Sequence, residues 1–294
     1  MNRTQQLSWQ SIGKQFSGEE LLLEALRRRG FLSYKDSEGV WLGTGSHVSD
    51  ITTLQLIPNL EIARIHDHPD RICKLSFDTS RPELSQDIAL AIIALGEHHL
   101  GSEHGGFSRT GFGNWSTRDT SWKRYSKMIW GTKLPVCPAT IPHQKLVPEA
   151  LDTGCALLVK SLPIAGIATF LSCDGHGFAP VRIDFAFPWD LLWGKAIFDA
   201  LPFKPQNSTW LWENHLEIHP KEGYGDESVT LLLEDIQQWS RQLLDSRTIH
   251  KLKIARQRTI SACENSIDGP FMHEFSQLAK LHLSKVTERL TSST

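Results

Sequence analysis

The stretch from residue 167 to residue 187 constrains the fold more than any other part of the chain. Ile-Ala-Thr-Phe-Leu, apolar except for Thr169, is followed by Ser-Cys173-Asp174-Gly175-His176-Gly177 and, after Phe-Ala-Pro, by Val-Arg-Ile-Asp-Phe, which alternates strictly. The first reads as a buried strand and the last as a strand with one wet face. The glycines between them permit the positive φ angles of a tight turn. Around this unit, helical patterns cover 148–162 and 189–201, and a further strand pattern covers 208–218. The order αββαβ predicts a sheet with helices packed on one face. Helical patterns over 226–244 and 268–290, with 247–258 extending the first of them, complete an α+β class: a mixed sheet, helices packed on it and a helical C-terminal region.

The first half is less regular. Leu21, Leu22, Ala25 and Leu26 form the apolar side of a helix that stops at Gly30, and the Arg27-Arg28-Arg29 run lies in its last turn, where cations complement the helix dipole. Strand-like segments follow at 40–42, 51–57, 62–66 and 71–77, then a helix after Pro82 carrying Leu84, Ile88, Ile92 and Leu95 at helical spacing. The proline-punctuated stretch LPVCPATIPHQKLVP suggests two regions, 1–135 and 136–294, with one continuous domain as the alternative.

Composition removes several classes. Among 294 residues, 40% are hydrophobic and 22% charged, a globular balance. No apolar run is long enough to span a bilayer and the first residues lack a signal-peptide core, so the expectation is a cytoplasmic protein without a membrane role. Five cysteines without dense spacing argue against a disulfide framework and leave thiols for metal or catalysis. A net charge of −2 gives no global attraction to nucleic acid, though local patches still can. The 13 histidines and 10 tryptophans are the unusual entries. Walker A, Gly-x-Gly-x-x-Gly after a strand, Gly-x-Ser-x-Gly, His-Glu-x-x-His, paired Cys-x-x-Cys and the zinc-deaminase signature are all absent.

Cys173 and His176 form the sharpest constellation. Thiolate and imidazole from one turn converge on a soft or borderline cation. Equally, His176 can deprotonate Cys173 for nucleophilic attack, or the turn can be plain hairpin chemistry with a half-buried cysteine. Asp174 stands between them. Arg182 and Asp184 share a face of the next strand, suited to holding an anionic or carbonyl group and orienting a histidine. On 209–219, Glu213, His215, Glu217 and His219 share a face opposite Trp210, Trp212, Leu216 and Ile218, either for a divalent metal or as a solvated surface. His66 and His68 point the same way in extended chain, as metal ligands do, whereas Cys73 alternates with Leu75 and Phe77 and reads as core. His98, His99 and His104 cluster at a helix end.

Two basic segments bear on partners. Residues 107–127 interleave Arg109, Arg118, Lys123, Arg124 and Lys127 with Phe107, Phe112, Trp115, Trp122 and Tyr125, the ingredients of base stacking and phosphate contact, or of a lid packed on the body. Lys251, Lys253, Arg256 and Arg258 lie on a stretch without acids that can track DNA or RNA, or form a solvated helix face. The leading expectation is therefore a zinc-dependent hydrolase or hydratase. Cys173 and His176, with His66 and His68, would gather the ion, which acidifies a water for attack on an amide, nitrile or amidine carbon. Asp174 or Asp184 would orient a ligand or shuttle a proton, and Arg182 would position a planar heterocycle or a nucleobase within nucleic acid. The alternatives are a Cys173–His176 thiol enzyme and a non-catalytic nucleic-acid-binding or interaction component of a bacterial multi-protein system.

Overall fold

The computed structural model describes residues 1–43, 48–65, 71–95, 151–162, 164–167, 169–185 and 188–244, together with 251–252, 254–256, 258–259, 262 and 277–284 near the C-terminus. The α+β class expected from the sequence is the class observed, with the described strands divided between two antiparallel four-stranded sheets.

The first half opens with α1 (Arg3–Gln15) and α2 (Gly18–Arg28). Asn2 caps α1 by accepting from the Gln5 N–H, while the Gln5 side chain accepts from the Asn2 N–H, a reciprocal capping box. Strands β1 (Ser33–Asp36), β2 (Gly39–Gly43), β3 (Glu61–Arg64) and β4 (Arg71–Ser76) pair in the order β1-β2-β4-β3. Between β2 and β3 lies α3 (Val48–Leu54), and after β4 comes α4 (Pro82–Ile93). Leu21, Leu22, Ala25 and Leu26 of α2 bury against Ile88, Ala89 and Ile92 of α4 and against Val40, Leu42 and Leu75 of the sheet. Cys73 belongs to this core, as its alternation implies. The strand expected over 51–57 is instead helical. Ile51 and Leu54, three apart, are buried while Thr52 and Gln55 are exposed, and a short apolar run does not by itself separate the two periods.

In the second half, α5 (Ala156–Ser161) precedes β5 (Thr169–Cys173) and β6 (Val181–Phe185). Next come α6 (Pro188–Ala200), β7 (Ser208–Trp212), β8 (Leu216–Pro220) and α7 (Asp226–Leu244). The order is β5-β6-β8-β7. Here the expected single strand over 208–218 is a hairpin, with Trp212 opposite Leu216. Alternation survives the turn, so Trp210, Leu216 and Ile218 still face the core while Glu217 and His219 face outward. Trp210 packs edge-on against Trp239 of α7 at 5.3 Å and stacks on Phe198 of α6 at 5.1 Å. Among the described residues of the helix expected over 148–162, only Ala156–Ser161 is α-helical, and 153–155 just before it form a turn.

Helix α1 serves both cores, with Ile12 in the first and Leu7 in the second. Several ion pairs also cross the seam. Arg28, 2% exposed, donates to Glu234, which also accepts from Ser11 Oγ at 2.8 Å. Arg241 of α7 donates to the buried Glu24 of α2. Lys160, on α5, holds Asp50 of α3 through both carboxylate oxygens at 3.1 and 3.2 Å, and both residues are buried. The arginine run thus does more than complement a helix dipole. Arg28 and Arg29 are buried against the second half.

Two outcomes follow. Lys160→Met leaves the Asp50 carboxylate buried without its cation and lowers stability by about 3–5 kcal/mol in urea unfolding, more than the Lys160→Met/Asp50→Asn double variant does. Burial alone pushes the Glu234 carboxyl up, but the Arg28 guanidinium and Ser11 outweigh it and hold it below the usual carboxylate range. Its contribution is therefore present above the ordinary glutamate value and is lost as pH falls through the lowered one, roughly from pH 5 downward. Glu234→Gln flattens that part of the stability–pH curve.

Candidate metal centre

The group forms where β5 ends. Ser172 turns inward and is buried, so Cys173 points to the other side, in register with Arg182 on β6. Asp174 then reverses the chain. Its Oδ1 accepts from the His176 N–H at 2.8 Å and its Oδ2 from the Gly154 N–H at 3.1 Å, with the side chain fully buried. Gly175, His176 and Gly177 follow with φ of 65°, 51° and 77°, three successive left-handed residues. Glycine is required at 175, since a Cβ there would lie 2.7 Å from the Pro180 carbonyl oxygen. His176 carries its Cβ in this conformation at a cost of about 1–2 kcal/mol. Backbone strain of that kind gathers at functional sites.

The fourth member, Asp152, comes from the turn before α5. Its Oδ2 accepts from the Asp174 N–H at 3.0 Å, so the segments 152–154 and 174–176 are laced together by reciprocal carboxylate–amide bonds. They are also tightly packed, because a Cβ on Gly154 would meet Asp174 Cβ, Asp174 Oδ2 and Leu233 Cδ2, all at 2.9 Å. Asp152, Cys173, Asp174 and His176 each offer a ligand atom, and all four atoms lie within 4.8 Å of one another, a group able to hold a metal ion. His176 Nε2 stands 4.0 Å from Cys173 Sγ, and its Nδ1 stands 3.4 Å from Asp174 Oδ1. The His176 side chain is 45% exposed, so the group opens to solvent on that side.

Burial pushes the Cys173 thiol up to about 11; the Gly175 N–H at 3.4 Å pulls it down, but the Asp152 and Asp174 carboxylates raise it further. A second thiol, Cys155, is fully buried behind the group, with Sγ 3.6 Å from the Asp152 carbonyl oxygen, and burial holds it well above the usual cysteine value.

Of the residues singled out from the sequence, Cys173, Asp174 and His176 come together. Asp152 was not foreseen, since it falls inside a segment read as helix and lies far from Cys173 in sequence. Arg182 and Asp184 pair with each other, Nη2 to Oδ1 at 3.0 Å, on the outer face of the sheet. Asp184 Oδ1 also lies 4.0 Å from His215 Nδ1. His215 and His219 both bond to Glu217, at 2.7 and 3.2 Å, and together hold its carboxyl below the usual range. Arg256 pairs with the buried Asp190 at 3.5 Å, Lys251 is half-buried and Arg258 is exposed. His66, His68, His98, His99, His104, Arg109, Trp115, Arg118, Trp122, Lys123, Arg124 and Lys253 lie outside the described residues. Among the described residues, no helix is long and apolar enough to cross a membrane.

Gly154→Ala forces Asp174 and Leu233 apart and lowers the thermal midpoint, at a cost of about 1–3 kcal/mol. The same variant displaces Asp174 from the His176 amide, read as a changed chemical shift for that N–H. An unchanged shift would show that Asp174 does not depend on this packing.

No protein-family model, curated protein or solved structure matches the chain, so function is inferred from the residues of the site itself.

Proposed function

We propose that the protein is a zinc-dependent hydrolase or hydratase in which Asp152, Cys173 and His176 hold the ion and Asp174 steadies His176 from behind. The observation that carries this reading is the orientation of His176. Its Nε2 faces the Cys173 sulfur at 4.0 Å while its Nδ1 faces the Asp174 carboxylate at 3.4 Å. Two ligands of one tetrahedral zinc lie about 3.5 Å apart, given bonds of about 2.0 Å to nitrogen and 2.3 Å to sulfur. A carboxylate on the far ring nitrogen fixes the tautomer and leaves the Nε2 lone pair for the ion.

Charge supports the same division. One carboxylate, one thiolate and a neutral imidazole balance a divalent cation, whereas a second carboxylate ligand would leave the centre negative and blunt its acidity. Asp174 already accepts from two backbone N–H groups, which suits a supporting role. Mixed sulfur, nitrogen and oxygen donors favour zinc among the common divalent ions. Three protein ligands leave a fourth position, as hydrolytic zinc sites do, and the exposed side of His176 is where it faces solvent. When bound, the ion supplies an acidified water and polarises the carbon under attack.

The chain's own groups then position and shuttle. Arg182, in register with Cys173 and oriented by Asp184, is placed to hold the substrate at the adjoining sheet face. For the substrate we favour an amide, nitrile or amidine carbon of a planar heterocycle, including a nucleobase in DNA or RNA. That choice rests on the sequence of 107–127 and the basic residues Lys251, Lys253 and Arg258. A thiol-enzyme reading is weaker, because burial and two flanking carboxylates keep Cys173 protonated at neutral pH.

Protein purified without a histidine tag is expected to carry or take up one zinc per chain, measured by elemental analysis. Asp152→Asn, Cys173→Ser and His176→Ala each abolish stoichiometric uptake, while Asp174→Asn retains it about 10–100-fold more weakly. Hydrolysis of a heterocyclic amide or amidine panel is lost on chelation and restored by zinc. Folded native protein that takes up no stoichiometric divalent ion overturns the reading.

A further inference from the structure

Both peptide segments of the metal group are gripped by arginines from the other half of the molecule. Arg29, at the C-terminal end of α2, is fully buried. Its Nη1 donates to the Leu151 carbonyl at 2.7 Å, one residue before Asp152, and its Nε donates to the Leu95 carbonyl at 3.2 Å. The next residue tightens the contact. Gly30 has φ 86°, and a Cβ there would lie 2.9 Å from Ala156 Cβ, so the end of α2 rests directly on the segment that carries Asp152.

Arg3, in the first turn of α1, grips the second segment. Its Nη1 donates to the Gly177 carbonyl at 2.5 Å, immediately after His176, and its guanidinium lies 4.5 Å over the Phe178 ring. Its Nε and Nη2 reach Asp226 at 3.0 and 2.6 Å, and Nη2 also reaches the Tyr224 carbonyl at 2.8 Å. The strained turn at 175–177 is thus tied to the start of α7 through one side chain from α1.

Resting on the metal reading above, we propose that Arg29 and Arg3 are positioning residues for the metal centre, setting Asp152 and His176 respectively, so that ion affinity depends on their own bonds to the carbonyls of Leu151 and Gly177. The chemistry suits arginine in particular. A planar fork with several fixed donors addresses two carbonyls at once, which an ammonium on a flexible stem cannot do with the same geometry. Neither guanidinium belongs to the group of candidate ligands. Each acts on the backbone next to one, and ligand geometry within a few tenths of an ångström decides affinity.

Arg28 provides a matched control. It neighbours Arg29 on the same helix end and is equally buried, but it bonds Glu234 of α7 instead of a ligand-bearing segment. The test titrates cobalt(II) into metal-free, full-length protein, reading the thiolate charge-transfer band, with the thermal midpoint of each metal-free variant measured alongside. Arg29→Met and Arg3→Met are expected to bind cobalt at least about tenfold more weakly, with an altered spectrum. Arg28→Met is expected to lose comparable thermal stability and keep native affinity and spectrum. Arg29→Lys, which keeps the charge but donates from a single nitrogen, falls between native and Arg29→Met. If Arg29→Met does not fold, Arg29→Lys and Arg3→Met decide the question. Native affinity and spectrum in the folded arginine variants, with only the midpoint lowered, overturn this proposal and leave the metal reading standing. Native protein that takes up no cobalt overturns both.

Discussion

The buried carboxylate of Asp174 is the interaction on which the site depends. Taking an ionised group out of water is costly unless hydrogen bonds replace its hydration. Here two backbone N–H groups do so, one from Gly154 and one from His176, and the residue's own N–H is held by Asp152. Because the donors come from two segments distant in sequence, satisfying this one charge forces the turn after β5 against the turn before α5. Asp152 and Cys173 become neighbours as a consequence. The absence of a Cβ at Gly154 is what allows the approach.

The same economy governs the seam between the two halves. Three ion pairs cross it: Arg28 with Glu234, Arg241 with Glu24, Lys160 with Asp50. Buried pairs of this kind add little net stability compared with well-packed apolar residues, since desolvation offsets much of the Coulomb gain. They are demanding about geometry, however, because a displaced partner leaves a buried charge uncompensated. Arg29 and Arg3 extend this directional control to the carbonyls beside Asp152 and His176.

What the sequence made legible was local. Cys173, Asp174 and His176 lie within one turn, so their convergence follows from backbone geometry and two glycines. The outward face of Glu217 and His219 followed from period-two alternation, which survived the undetected reversal between Trp212 and Leu216 because the hairpin preserves parity. Asp152 was hidden for the opposite reason. Its role depends on a hydrogen bond to a residue more than twenty positions away, and nothing in its own neighbourhood distinguishes it from a helical aspartate. The helix at Ile51 and Leu54 is not legible in the sequence because its apolar run is short, and the partner of Asp50, Lys160, belongs to the other half of the molecule. The arginine run looked like dipole complementation until tertiary partners were visible, since charge pattern reports a helix end but not what the helix end touches.

His176 shows why a site reading outweighs a plain turn. Left-handed backbone is costless for glycine and tolerable for asparagine, and both flanking residues are glycine. His176 is half-exposed and makes little core packing, so apolar burial does not offset its backbone cost. Its ring also makes polar approaches, Nδ1 toward a buried carboxylate and Nε2 toward a sulfur. In the metal-free chain that second contact, at 4.0 Å to a protonated thiol, contributes almost nothing. A cation between nitrogen and sulfur would strengthen it, in keeping with a group able to hold a metal ion.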